Sequence, residues 1–360
     1  MNILNLIDNC ISYYQKRMKI FRQHHYWNRI YKNYITEILG GGSLTTEQKR
    51  EVNKVYGPYN HRNHTSHTFY TLATGVFNAN YMPDDLYYSR IDPYFNDWDR
   101  AKYVDNKAYY RLMYPGMEQP KLLYYRMNSF WYNGNGELTS IQNVLNKLIN
   151  TSDFFIKQAT ESEGGHGVIF VDSSKKSKDE IYNLLNTNNL DIVIQEGLKQ
   201  SKTLATINES SVNTIRLLTL LHKTGNVSLY SSILRMGVGG SKVDNASSGG
   251  ITVGIEDNGR LKKFAYSSNG KKYEIHPTSH VHFDDFVIPN YEKIKGLIKE
   301  QAKNFPHFRL VSWDIALNEK DEPVIIEANL HFGEIDFHQL NNGPLFGDDT
   351  SMILNEVFGK

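Results

Sequence analysis

Between residues 214 and 328 the chain contains six strand-length apolar runs: Thr214–Leu221, Val227–Arg235, Gly250–Ile255, Leu261–Tyr266, Arg309–Leu317 and Pro323–Ala328. They are rich in Val, Ile, Leu, Thr and Tyr and are bounded by Gly, Asn, Asp and Lys, the pattern of a sheet whose strands are largely buried. The last two are joined by the short turn NEKDE. Earlier, Phe154–Lys157 and Gly167–Val171 read as two strands around the loop QATESEGGH, and Asp191–Gln195 as a buried strand. Helices are expected near Lys107, at Lys178–Leu185, at Tyr291–Asn304 behind Pro289, and at Ser351–Val357. Strand-rich stretches with interspersed helices argue for an α+β fold with antiparallel sheets.

The N-terminal hundred residues differ in texture. Ile3, Leu6, Ile7, Cys10, Ile11 and Tyr14 recur at helical spacing, one face of an amphipathic helix. Residues 1–39 read as one or two helices ending at Gly40-Gly41-Gly42, and Thr45 or Thr46 caps a further helix, TEQKREVNKVY. From Gly57 to Pro93 the text is aromatic without clean periodicity. The domain expectation is therefore a helical, aromatic region over 1–100, a unit over 101–198 and a second over 199–360.

At 360 residues the chain is long enough for two or three packed units. Forty Lys and Arg against 39 Asp and Glu leave a net charge of +1, too little surplus for a non-specific nucleic-acid binder. A single cysteine, Cys10, excludes an intrachain disulfide framework and a CxxC zinc site and fits a reducing, cytoplasmic location. The N-terminus lacks the apolar core of a signal peptide, and no segment reads as a membrane span. From Lys16 to Lys32 the chain is basic; that face could meet an anionic glycan or a membrane surface, or stay solvated.

The residues that point to chemistry lie in WDIALNEKDEPVIIEAN. Asp314 sits in one strand; Glu327 and Asn329, two apart in the next, point to one face, which Asp314 reaches if the strands form a hairpin. Two carboxylates and an amide oxygen are hard donors suited to Mg²⁺, and the apolar neighbours Trp313, Ile315, Ile325, Ile326 and Ala328 make charge there call for a cation. Arg216 is a guanidinium inside the apolar strand NTIRLL; it needs an anionic partner, whether substrate carboxylate, phosphate or an internal acid. Asn213 and Thr214 stand beside it and could bond the same ligand. Asp244, Asn245, Gly249 and Gly250 form a polar turn that could line an acceptor pocket or simply face water.

Asp followed by Glu-x-Asn on consecutive strands resembles the magnesium signature of the ATP-grasp superfamily. That resemblance implies an ATP-grasp fold, two α+β subdomains sandwiching ATP, preceded here by the mostly helical region. It implies that Lys107, in VDNKAYYRLM, and Lys157, in DFFIKQ, meet ATP phosphates as point charges. It makes the loop with Gly164, Gly165 and Gly167 a phosphate cradle, and DIVIQEGLKQ the adenine-side hinge with Gln195, Glu196 and Leu198; alternation lets only one of Gln195 and Glu196 face the base. SVNTIRLLTL and VDNASSGG resemble the sugar-transfer associated branch, met in capsule and teichuronopeptide-like polysaccharide pathways. The implied activity is ATP-dependent amide formation through an acyl phosphate, with ATP and Mg²⁺ required, Lys157 and Arg216 serving the reacting groups, and an amine joined to a carboxylate-bearing sugar or glycan. A sugar phosphotransferase and a non-catalytic nucleotide-binding scaffold are the alternatives.

Other combinations carry less. HVHFDDF puts His280 and His282 on one face if extended, beside Asp284 and Asp285, and His61, His64 and His67 fall in a loop-like stretch. There is no G-x-S-x-G elbow, Walker A sequence or kinase H-R-D motif.

Overall fold

The computed structural model describes residues 3–160, 167–186, 190–240 and 249–359. Two antiparallel sheets organise it. The smaller holds β1 (Leu122–Met127), β2 (Phe130–Asn133), β3 (Leu138–Thr139), β4 (Asp153–Gln158), β5 (Val168–Asp172) and β6 (Ile192–Glu196), in the order β3-β2-β1-β6-β4-β5. The larger holds β7 (Thr214–Leu221), β8 (Val227–Met236), β9 (Ile251–Ile255), β10 (Leu261–Tyr266), β11 (Lys272–Tyr273), β12 (Leu310–Leu317) and β13 (Pro323–Asn329), in the order β11-β10-β9-β8-β7-β12-β13. The α+β expectation holds, and every strand read from the sequence is present to within a residue or two.

Alternation decides what each face meets. On the smaller sheet Phe154, Ile156, Ile192 and Ile194 bury against the helices Ile141–Leu148 and Lys178–Asn186, forming one core with Val144, Leu148, Ile181 and Leu185. Lys157, Phe155, Val193 and Gln195 carry the opposite parity and stand in register across β4 and β6. On the larger sheet Ile215, Leu217, Trp313 and Ile315 pack under the Tyr291–Gln301 helix residues Ile294 and Ile298. Leu218, Leu220 and Leu310 face the other way into a core with Val52, Tyr56, Leu86, Ile91 and Phe95 from the N-terminal region and Ile353 and Leu354 from the last helix. The N-terminal region therefore roofs the same sheet face that carries Arg216 and Asp314.

That roof is built from helices. The first, Ile3–Asn33, is followed by Thr46–Tyr56, where Thr45 accepts from the Gln48 amide and Gln48 reaches back to the Thr45 amide, a capping box. The aromatic stretch contains the helix Thr65–Thr74, invisible to a periodicity reading because Ser66, His67, Thr68, Phe69 and Tyr70 are all buried, leaving no polar stripe. Near Lys107 the expected helix is a single 3₁₀ turn, Lys107–Tyr109, leading into one short turn, Tyr110–Met113. His280 and His282 do not share a strand: His280 is left-handed at φ +60° and Phe283 buries its ring. Among the described residues no three His, Cys, Asp or Glu side chains gather as a metal cluster, there or at His61, His64 and His67. Instead His61 bonds Asp85 (2.9 Å), His64 bonds Asn53 (3.0 Å) and buried His67 bonds the Ala79 carbonyl (3.1 Å).

The roof meets the helix Ile335–Asn342 through buried acids. Both Asp84 oxygens accept from the Tyr70 hydroxyl at 2.9 Å, and the Tyr70 and Tyr31 hydroxyls are 3.1 Å apart. Burial, then Asp336, pushes Asp84 far above the carboxylate range; burial, then Glu334, pushes Asp336 up to about 7. A carboxyl raised in the folded state favours folding while protonated, and that contribution is lost as pH rises through its folded pKa. Asp336→Asn is therefore expected to raise the melting temperature by a few degrees at pH 8 and to leave it nearly unchanged at pH 4. A variant less stable than the parent at pH 8 would mean that the ionised carboxylate is wanted there.

Candidate functional site

The site is assembled by strand register. Asp314 on β12 lies opposite Arg216 on β7 and, on its other side, opposite Glu327 on β13. Ser312 pairs in the same way with Asn329, so Asn329 joins that face. A bulge after Asp314 sets Ile325 rather than Ile326 against Ile315 and keeps the apolar parity of β13 inward.

Arg216 grips Asp314 with two bonds, Nε to Oδ1 and Nη2 to Oδ2, both 2.7 Å, while its Nη1 bonds Glu334. Arg235, from β8, adds Nη1 to Asp314 Oδ2 at 3.0 Å. Of the anionic partners open to Arg216 from sequence, the structure supplies the internal one. Burial alone would raise the Asp314 pKa; the two guanidiniums outweigh it and hold it at about 2. Glu334, left-handed at φ +49° at the N-cap of Ile335–Asn342, and Arg235 are site residues that the sequence reading missed. Arg235 carried the same signal as Arg216, a guanidinium in an apolar strand, whereas Glu334 sits in a loop and carried none.

Lys107 ties the two sheets together. Its amide donates to the Ala159 carbonyl just beyond β4 (2.9 Å), and its ammonium bonds Glu327 Oε1 on β13 (2.7 Å). Lys157 is on β4 between Val168 and Val193. Burial, then the charge of Lys107, lowers its pKa to about 8, with Glu327 pulling the other way. A half-buried lysine so close to losing its proton is poised to gain from an incoming anion.

Gln195 lines a cavity of about 300 Å³ with Lys107, Arg111, Met117, Lys121 and Leu122; its lining holds three cations and no carboxylate. Glu196 instead bonds Lys121 at 2.6 Å, so of the two it is Gln195 that turns to the cavity. Leu198 follows β6, half-buried. Gly167 is at φ +79°, a backbone state that favours glycine. Gly164, Gly165, Asp244 and Asn245 lie outside the described residues. Thr214 is buried opposite Arg235. Asn213 corrects an expectation: it is fully buried, and its amide nitrogen donates to Gln200 Oε1 and the Leu204 and Asn208 carbonyls at 2.9–3.0 Å. It braces its own loop.

The donor set suits a divalent cation, with one difference from expectation. Asn329 turns its nitrogen to the Ser312 carbonyl (3.1 Å) and Asp314 (3.4 Å), which points its oxygen the other way, and Glu327 has one oxygen on Lys107. Asp314, in contrast, has both oxygens taken by guanidinium donors, so it would join a metal only by yielding one of them.

The chain belongs to the sugar-transfer associated ATP-grasp family, whose family model matches residues 87–351. Its fold is accordingly the ATP-grasp fold, preceded by a helical region. Similar solved structures include the ATP-grasp ligase PsnB complexed with its minimal precursor (13% identity, TM-score 0.41, covering 73% of this chain and 64% of that one). Others are the biotin carboxylase domain of Hydrogenobacter thermophilus 2-oxoglutarate carboxylase with MgADP, ADP and bicarbonate (12%, 0.46, 74% and 48%) and Staphylococcus aureus N5-carboxyaminoimidazole synthetase with ADP (8%, 0.42, 69% and 52%). The chain thus spans between 48% and 64% of the length of these three. No curated protein matches it.

The ion network makes a sharp contrast between its two acids. Asp314→Ala leaves two buried guanidiniums short of their anion and is expected to cost about 3–5 kcal/mol in denaturant unfolding. Glu327→Gln keeps an oxygen for Lys107 and is expected to cost about 1 kcal/mol. Equally small losses in both variants would contradict the pairing described here.

Proposed function

We propose that this protein is an ATP- and magnesium-dependent carboxylate–amine ligase. The observation that carries the reading is the Lys107 bridge, which ties the end of β4, the strand of Lys157, to Glu327 of the other sheet. Cations from one side meeting oxygen donors from the other is the arrangement a metal-bound triphosphate requires.

In this reading Lys107, Lys157, the loop of Gly164, Gly165 and Gly167, and the hinge of Gln195, Glu196 and Leu198 hold the nucleotide, with Gln195 toward the base. Glu327 and Asn329 would hold magnesium, joined by Asp314 on exchange of a guanidinium; the ion would neutralise charge between phosphates. A substrate carboxylate oxygen attacks the γ-phosphorus and ADP leaves, giving an acyl phosphate. An amine nitrogen then attacks the acyl carbon, inorganic phosphate departs, and the nitrogen loses its proton to leave an amide. Lys157 offsets charge on the transferring group, and Arg216, with Thr214, Asp244 and Asn245 near the acceptor, orients the carboxylate once Asp314 releases part of its fork. The protein's contribution is positioning and charge, not a covalent intermediate.

The family's sugar-transfer association supports a sugar-bearing substrate. We place the reaction in surface-polysaccharide biosynthesis in the cytoplasm, joining an amino acid or other amine to a uronic-acid-bearing glycan or precursor. The test is ADP release across a panel of uronic acids and amines. Release that requires both a carboxylate and an amine is expected. Release with a hydroxyl sugar alone would make the protein a phosphotransferase, and tight ATP binding with no release on any pair would make it a scaffold.

A further inference from the structure

The first helix has two unlike sides. One is packed: Lys19 lies over the Trp98 ring at 3.2 Å, His24 bonds Asp85 at 2.7 Å, Trp27 stacks on Tyr88 with ring centroids 5.2 Å apart, and Tyr31 is fully buried. Acids meet the helix on that side, Asp85 at His24 and Asp92 and Asp99 at Lys19. The other side is open. Tyr14 is 66% exposed, Phe21 63% and Tyr26 47%, interleaved with exposed Arg22, Arg29 and Lys32.

These residues form lines along the helix. Tyr14 and Phe21 are seven apart and fall on one line; Arg22, Tyr26 and Arg29, at i, i+4 and i+7, make the adjacent one. From Asn9 to Thr36 the chain has six lysines and arginines and no aspartate or glutamate. No described helix is long and apolar enough to cross a membrane.

We propose that this outward face docks on an anionic lipid surface. Aromatic rings beside cationic side chains suit the boundary between headgroups and acyl chains: the rings enter, and the arginine stems reach back to phosphates. A soluble polyanion would satisfy the cations but leave Phe21 in water. A second copy of the Asn9–Thr36 stretch would set cation against cation, since that stretch has no aspartate or glutamate of its own. A lipid surface answers both halves of the face. Docking there goes beyond the proposed reaction and does not depend on it.

The experiment is co-sedimentation of the full chain with vesicles of phosphatidylcholine alone and of phosphatidylcholine mixed with phosphatidylserine, at low and high salt. Binding is expected only to the mixed vesicles and is expected to weaken with salt. The double variant Arg22→Glu/Arg29→Glu should lose at least about tenfold in binding. Phe21→Ser should lose several-fold while keeping the salt dependence, and both variants should keep the parent's melting temperature. Three results would overturn the proposal. One is equal sedimentation with neutral vesicles or by the variants. Another is binding to a soluble anionic polysaccharide or RNA in place of vesicles. The third is a dimer that Phe21→Ser abolishes without any vesicle binding.

Discussion

Arg216, Asp314 and Glu327 stand in one row across three adjacent strands, and the rest of the site depends on that register. A guanidinium and a carboxylate at neighbouring register positions on a covered face can neither move apart nor reach water. Taking both out of solvent is costly, and the cost is offset only because the fork is bidentate and Arg235 and Asn329 complete the shell of Asp314. With Asp314 neutralised in this way, Glu327 is the carboxylate left to meet charge from outside the sheet. It meets Lys107, whose backbone is in turn fixed to the end of β4. A one-residue slip of β12 would turn Asp314 into the apolar core and break every link in this chain.

The N-terminal region matters because it covers that row. Val52, Tyr56, Leu86, Ile91 and Phe95 share a core with Leu218 and Leu310, residues of the same faces as Arg216 and Asp314. The covering elements bring their own buried acids, Asp84 and Asp92, and the adjoining Ile335–Asn342 helix brings Asp336. Asp92 is pushed up to about 6 by burial, though the Phe332 amide and Asn96 bond it. The loop between β13 and that helix has Phe332 and Glu334 at positive φ on either side of Gly333. That strained turn carries Glu334 back to Arg216.

Much of this was legible in the sequence because sheet burial writes itself as alternation and apolar runs. β7, β10, β12 and β13 were readable at their ends, and the Asp314, Glu327 and Asn329 spacing pointed to one face. β1 to β3 were not read: LLYYRM mixes tyrosines with an arginine, its pairing with β6 is bulged after Leu122, and β3 is only two residues long. Thr65–Thr74 was hidden by burial on all sides. Which of Gln195 and Glu196 faces the cavity depends on Lys121, some seventy residues earlier, and no local pattern carries that. Asn213 looked like a ligand contact because it neighbours Arg216 in sequence; its partner Gln200 is a neighbour only in space. Long-range partners decided each case that local pattern could not.

The central proposal is that Lys157 and the Lys107–Glu327 bridge together face a nucleotide's phosphates. Calorimetric titration of ATP and of adenosine, with magnesium present, against the parent protein and Lys157→Ala tests it most directly. The account predicts that the variant loses ATP affinity by at least about tenfold, the loss of one charge contact, while adenosine affinity is nearly unchanged. Equal losses for the two ligands, or none for ATP, would contradict it and place Lys157 in the fold rather than at the phosphates.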